Sequence, residues 1–473
     1  MDELGLTTKE EQELVQETQE PEGIKEGVHN YSGIASYAAP TEPELLRQLE
    51  WFQDQKLALM MHWGAYSQIG LVESWALSDG DGDWSRNDVD WDVDADTFKK
   101  QYFDLNKTFN PIRFQPDKWA SAAAEGGFKY FIFTTKHHDG FCMFDSKYSD
   151  YKVTAPDCPF HTHKYSNICK HLFDAMRSKG LGIGAYFSKA DWTVPSYWVN
   201  GREPGTFMSR GPSYLPVENP EIWEEFVNFT HNQIKELATE YGKLDILWFD
   251  AGWVCKENGQ DIRLGELMDQ IREVQPWVLS ADRTVGGPYE NYVTPEQCVP
   301  DEPLMIPWES CITMGTSFSF KYEDTYKTVR ELACLLVDIV AKGGNLALNV
   351  GPQPDGRIPE GALKAMKGLG EWLSIHGEGI YGTRVCAPYK KDGIAFTQKQ
   401  AEKYIYAFKM YPDKEGKAEQ ELFLPFHDEV EGMELIGSQE QIHYKKVPGG
   451  YQAELPKHHG EVPIGQVLRI RRK

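Results

Sequence analysis

The stretch K-L-D-I-L-W-F-D-A-G-W, from Lys243 to Trp253, constrains this chain more than any other. Leu244, Ile246, Leu247, Trp248 and Phe249 make a near-continuous apolar run that Asp250 and Gly252 stop, the pattern of a parallel strand covered on both faces. Such a strand belongs in a barrel or a doubly wound sheet. A carboxylate at its end sits on the carboxyl-terminal face, where barrel enzymes carry their chemistry, and Trp248 and Trp253 are at hand to shape a pocket. Asp250 is therefore a candidate reacting group. The competing reading is an aspartate that caps the next helix or ends a turn.

The same arrangement recurs along the chain. Leu57 to Met61 runs into His62-Trp63-Gly64, and Phe128 to Thr134 into Lys136-His137-His138-Asp139. Leu181 to Phe187 ends in Ser188, and Trp277 to Ala281 is followed by Asp282-Arg283. Helix-spaced apolar residues separate these runs, from Thr41, over His163 to Lys179, Pro220 to Tyr241 and residues 259–274, and later over Glu323 to Lys342 and Pro359 to His376. Strand and helix in alternation predict a parallel sheet, and the repeated polar strand ends favour a closed (β/α)8-like barrel over an open one. Gly286 to Ser319 reads as loop, and Asn345 to Val350 as a further buried strand. Beyond Gly382 the helical pattern stops, and short strands at Ile394 to Thr397, Tyr404 to Phe408, Glu421 to Phe423 and Gln466 to Ile470 predict an antiparallel module. The expected layout is an acidic arm over 1–40, the barrel over 41–384 and a β-sandwich over 385–473. At 473 residues the chain has room for both folded units.

A formal charge of -23 repels nucleic acid and anionic membrane surfaces, so neither is an expected partner. No stretch approaches the roughly 18 apolar residues of a membrane helix. The eight cysteines are scattered without a C-x-x-C pair, and the first thirty residues lack a basic start and an apolar run, which together predict a cytoplasmic protein with reduced thiols. Oligomeric state stays open, a homo-oligomer included.

Paired carboxylates are the recurring device for cutting glycosidic bonds, one attacking or activating water while the other protonates the leaving oxygen. Asp250 supplies the first; Glu296, within T-P-E-Q, and Glu309, within P-W-E-S, are the candidates for the second. His62, His137 and His138 beyond strand ends read as a floor that binds sugar hydroxyls. A metal site is the alternative for His137-His138-Asp139, but adjacent extended residues point to opposite sides and no H-x-H or H-E-x-x-H spacing adds a third ligand, so no metal is expected. The acidic segment Asp79 to Asp94 holds oxygen ligands suited to calcium but lacks the EF-hand spacing, and reads as a solvated loop near the leaving-group side.

These segments resemble glycoside hydrolase family 29, the retaining α-L-fucosidases. The resemblance lies in H-W-G-A-Y-S (His62 to Ser67), F-N-P-I-R-F (Phe109 to Phe114), T-T-K-H-H-D-G-F-C-M-F-D-S (Thr134 to Ser146), G-A-Y-F-S (Gly184 to Ser188) and L-W-F-D-A-G-W (Leu247 to Trp253). It continues through K-G-G-N-L-A-L-N-V-G-P-Q-P-D-G-R-I-P, starting at Lys342, and I-Y-G-T-R (Ile380 to Arg384), collinear over about Leu45 to Arg384.

The resemblance implies a barrel with a C-terminal β-sandwich, hydrolysis of terminal α-L-fucose with retention, and no cofactor. It implies Asp250 as nucleophile and Glu296 as acid/base, with Glu309 as the runner-up. It further implies fucose contacts from His62, His137, His138, Tyr186, Trp253 and Arg283, and apolar walls from Trp308 and Phe318 against the C6 methyl. One step departs from the family pattern: where glutamate and tryptophan are usually adjacent, this chain has E-S-W, so Glu73 and Trp75 take their places as substrate-binding residues. Asp250 starts ionised and Glu296 protonated in the cycle so implied, which predicts a bell-shaped pH dependence. Two rivals remain, a catalytically silent fucose-binding protein and a glycosidase for a related galacto-configured sugar.

Overall fold

The computed structural model describes residues 31–199, 205, 207–304, 306–399, 401–415, 417–438 and 440–473. Residues 1–30 of the expected acidic arm lie outside the described residues.

Seven parallel strands form one curled sheet: β1 (Leu57–Met61), β2 (Tyr130–Lys136), β3 (Gly182–Ser188), β4 (Ile246–Asp250), β5 (Leu279–Asp282), β6 (Glu309–Thr313) and β7 (Asn345–Val350). They lie in the order β5-β4-β3-β2-β1-β7-β6. The two free edges, β5 and β6, are joined by an irregular segment. The amide of Asn291 donates to the carbonyl of Ser280 at 2.8 Å, while Glu309 and Cys311 donate to Val293 and Pro295 at 2.9 and 3.0 Å. Residues 289–297 thus stand in for an eighth stave.

Side chains alternate across each strand, so every second residue faces the lumen. Ala58 and Met60, Tyr130 and Ile132, Ile246 and Trp248, Leu279 and Ala281, Cys311 and Ala347 form one buried interior cluster. Its amino-terminal end is plugged by Leu45, Leu49 and Phe52 of α1 (Pro43–Gln55), which begins on a proline at its first turn. Continuing the alternation one step past that cluster gives His62, Asp250, Arg283 and Asn349. The site is the uppermost layer of a filled barrel.

One continuous apolar layer joins the strands to α2 (Ala95–Phe103), α3 (Pro116–Glu125), α4 (Ile168–Ser178), α5 (Pro220–Glu240), α6 (Leu264–Val274), α7 (Val329–Ala341) and α8 (Glu360–His376). Helices α2 and α3 carry no expectation from the sequence. β6 corrects the reading of 286–319 as loop: Glu309–Thr313 is a fully buried strand paired with β7. With Glu-Ser at its start and Thr at its end, its five residues carry too few apolar side chains to stand out.

Beyond residue 383 the chain forms an antiparallel five-stranded sheet and a three-stranded one, enclosing a separate core that includes Phe396, Ile405, Leu424 and Leu468. Arg330 of α7 docks this module by donating to the carbonyls of Tyr411, Val462 and Pro463 at 2.7–2.8 Å.

Candidate active site

A pocket opens at the carboxyl-terminal end of the barrel, lined by Met60, His62, Glu73, Trp75, His137, Trp248, Asp250, Trp253, Arg283, Glu296, Cys311 and Phe318. Among the described residues, the C-terminal module contributes none to the lining.

Asp250 ends β4 with both carboxylate oxygens engaged. Arg283 Nη1 donates to Oδ1 at 3.0 Å and the Tyr186 hydroxyl to Oδ2 at 2.5 Å, with His138 Nε2 3.8 Å away. Burial pushes this carboxyl up, but the Arg283 charge, His138 and the Tyr186 hydroxyl outweigh it and hold Asp250 well below the usual carboxylate range. The other terminal nitrogen of Arg283 donates to Glu296 Oε2. One guanidinium, stacked 4.7 Å over the Trp248 ring, therefore ties the two acids together. Two carboxylates within a single side chain's span suit the short gap that a retaining glycosidase needs.

The imidazoles are neutral acceptors. His62 Nδ1 lies 2.7 Å from Asn349 Oδ1, and that amide is fixed by donating its own N–H to the Phe318 carbonyl at 2.6 Å. His62 must then donate from Nδ1, which leaves Nε2 as a bare lone pair. His138 is set the same way: Ser188 Oγ donates to the Ala190 carbonyl at 2.7 Å and so accepts from His138 Nδ1 at 2.6 Å. Burial lowers both rings to about 4, and lowers His137 well below the ordinary histidine value. A buried pocket with neutral nitrogen acceptors is built for a polyol, whose hydroxyls can donate to them. Among the described residues, His137, His138 and Asp250 are also the one group close enough to share a metal ion. Of these three, Asp250 already has a positive partner in Arg283.

Glu73 and Trp75 both line the pocket, and the residue between them supports the floor, with Ser74 Oγ meeting His137 Nδ1 at 2.5 Å. Glu73 is buried with one carboxyl oxygen lacking a partner, and burial pushes it up to about 8. Trp253 is pinned by donating to the Tyr197 hydroxyl at 3.0 Å, and Phe318 stands 5.0 Å from the His62 ring.

Three expectations need correction. Trp308 precedes β6, donates to the Lys342 carbonyl at 3.3 Å and packs on Gly344, at the amino-terminal end of the barrel and outside the pocket lining. Glu309 is the first residue of β6, so it faces the lumen below the pocket floor, where Tyr130 and, at 3.2 Å, Trp248 Nε1 donate to it. A loop over 286–319 would carry both to the pocket's face; a strand over 309–313 sends them to its far end. The acidic segment 79–94 is likewise not wholly solvated: Asp79 accepts from Arg86 at 2.6 Å and from Lys99, and Asp81 from the Arg210 amide at 2.9 Å.

Met60 and Cys311 join the site without any motif to flag them, and Asn349 and Ser188 lie within family segments but carry no expected role; their alternation with Ala58, Glu309, Ala347 and Tyr186 marks the inward phase. The backbone is equally silent in the sequence. Eight non-glycine residues among those described have positive φ, and four of them are Glu73 itself and the residues that follow Asp250, Arg283 and Glu296, namely Ala251, Thr284 and Gln297. Such conformations cost roughly 1–3 kcal/mol each and cluster where the surroundings over-determine them for function.

A pocket on the carboxyl face of a parallel barrel, with two acids joined by an arginine above a floor of neutral acceptors, defines a glycoside hydrolase. A family model described as alpha-L-fucosidase matches residues 29–378. The chain belongs to the alpha-L-fucosidase family. It is similar to the plasma alpha-L-fucosidase of Homo sapiens, 26% identical over 426 residues that cover 87% of this chain and 86% of that one. Alpha-L-fucosidase isoenzyme 1 from Paenibacillus thiaminolyticus superposes with a TM-score of 0.74 at 27% identity, covering 91% of this chain and 100% of that one. The alpha-fucosidase of Thermotoga maritima solved in complex with fucose gives 0.69 at 26% identity, covering 91% of this chain and 100% of that one.

Proposed function

We propose that this chain removes terminal α-L-fucose from glycans or glycoconjugates by double displacement, with Asp250 as nucleophile and Glu296 as acid/base. The observation that carries this reading is the shared Arg283, which keeps Asp250 ionised while holding Glu296 beside it. An Asp250 oxygen bonds to C1 as the C1–O bond to the aglycone breaks, and Glu296 gives its proton to the departing oxygen. Glu296 then takes a proton from water, the water oxygen bonds to C1, and the ester to Asp250 breaks to release fucose. His62, His137 and His138 accept sugar hydroxyls, and Tyr186 holds Asp250 in line.

Phe318, Met60 and Cys311 offer apolar surface for a methyl group. A C6 hydroxyl there has no partner, which favours fucose over galactose. Eight unpaired cysteines support a compartment that keeps thiols reduced, which we propose is the cytoplasm.

The test is Asp250→Ala with and without azide on an aryl α-L-fucoside. Turnover falls by several orders of magnitude and partly returns with azide, a small anion that fills the vacated position; normal turnover without azide overturns the assignment. Aryl β-D-galactoside and α-L-galactoside, run beside the fucoside, separate the galacto-specific rival.

A further inference from the structure

The segment that bridges β5 to β6 has no regular strand pairing, yet it carries Arg283 at one end and Glu296 at the other. Isolated bridges tie it to β5 and β6, Glu296 opposite Cys311 among them, and contacts from outside the ladder add to these. Residues 31–37 lie across it. Tyr37 forms a parallel bridge with Gly287, whose amide donates to the Ser36 carbonyl at 2.8 Å. The Tyr37 hydroxyl donates to the Asn291 carbonyl at 3.1 Å, and Ser32 Oγ donates to the carboxylate of Glu290. Gly286, at φ +78°, sits so close to Ser36 that a Cβ there would lie 2.9 Å from the serine side chain.

Glu290 is the centre of this clamp. It is fully buried, and besides Ser32 it accepts from the amides of Thr284 at 3.1 Å and Gly286 at 2.8 Å. Thr284 is the β-branched residue held at φ +64° immediately after Arg283. A strained conformation of this kind persists only while its neighbours enforce it. The Glu290 carboxylate is the group that takes up its N–H. The strap therefore reaches the guanidinium fork through three steps: Ser32 to Glu290, Glu290 to Thr284, and Thr284 to Arg283.

We propose that Glu290 and the strap residues Ser32 and Tyr37 are positioning residues for Glu296, holding the bridging segment so that Arg283 and Glu296 meet in register. This rests on the acid/base reading of Glu296. Asp250 depends on it only through its one Arg283 bond, because β4 is locked in the ladder between β3 and β5 and Tyr186 holds its second oxygen, whereas Glu296 lies on the bridging segment itself. Loosening the strap thus harms proton donation to the leaving group more than nucleophilic attack.

The experiment compares the full chain carrying Glu290→Gln, and separately the milder double change Ser32→Ala with Tyr37→Phe, on two substrates. One is 2-chloro-4-nitrophenyl α-L-fucoside, whose aglycone leaves without a proton; the other is a fucosyl disaccharide, whose aglycone needs one. Both variants lose about tenfold in kcat/KM on the disaccharide, part of the 10²–10⁴ that an acid/base group supplies, and less than about threefold on the activated fucoside. Equal losses on both substrates, or none in either variant, overturn the proposal. Glu296→Ala is run in parallel. If it loses activity equally on both substrates, the acid/base reading itself fails and the proposal falls with it. If it shows the selective loss and the strap variants do not, only the positioning role fails.

Discussion

Arg283 Nη1 lies 3.0 Å from Asp250 Oδ1, and this bond leads the contacts, ahead of His138 and the Tyr186 hydroxyl, that keep the reacting carboxylate ionised. It comes from a residue that also reaches Glu296, so the fork is shared between the two halves of the proposed cycle.

Arg283→Lys breaks that sharing, because an ammonium is a point donor that cannot hold two carboxylates in a planar fork. The kcat/KM falls by about 10²-fold or more, the scale of one lost oriented donor in an active site. With the positive charge no longer held against its Oδ1, the Asp250 carboxyl rises, so the acid limb of the pH profile moves to higher pH. An unmoved acid limb assigns the low value to something other than Arg283.

Glu73 gives the alkaline side its own signature. Burial raises it to about 8, so it is neutral below that pH and adds a negative charge to the pocket above it. The kcat/KM declines as pH passes through about 8, and Glu73→Gln removes that component. A profile identical in Glu73→Gln and wild type shows that Glu73 does not titrate there.

Glu309 is a test of placement. Burial raises its carboxyl to about 7 from an ordinary 4.5. Because the folded value is the higher one, the stability it supplies is complete below 4.5 and is lost as pH rises through 7, by roughly 3 kcal/mol in all. Glu309→Gln flattens the pH dependence of Tm over that window and loses little more on a disaccharide than on an activated fucoside. A strongly leaving-group-dependent loss returns Glu309 to the acid/base role.

Phe318→Ala removes the aromatic wall 5.0 Å from His62. The kcat/KM on α-L-fucoside drops about 10- to 200-fold, the range of a lost apolar contact, while α-L-galactoside loses less, so discrimination narrows. Undiminished discrimination places the C6 methyl elsewhere.

Much of the site is legible in residue order. The run Ile246, Trp248, Asp250 has the period of two that turns every second side chain inward, so the strand that announces itself by its apolar core also aims its terminal carboxylate into the lumen. His62 after Met60 and Arg283 after Ala281 follow the same rule. Glu309 and Trp308 escape it because β6 begins with Glu-Ser and carries no apolar run, and hydrophobicity passes over a strand whose inward faces are a protonatable carboxyl and a thiol. Glu290 and the strap are hidden for another reason. The Ser32–Glu290 bond joins residues 258 positions apart, and neither composition nor periodicity encodes such a pairing.

The most direct measurement is peptide mapping by mass spectrometry after incubation with a 2-deoxy-2-fluoro-α-L-fucosyl donor carrying a good leaving group. The fluorine slows both steps, and the good leaving group lets the first outrun the second, so a covalent species accumulates. The expected result is one fluorofucosyl adduct per chain, on the peptide containing Asp250 and absent in Asp250→Ala. An adduct on another carboxylate, or full turnover of α-L-fucoside by Asp250→Ala, contradicts Asp250 as the nucleophile.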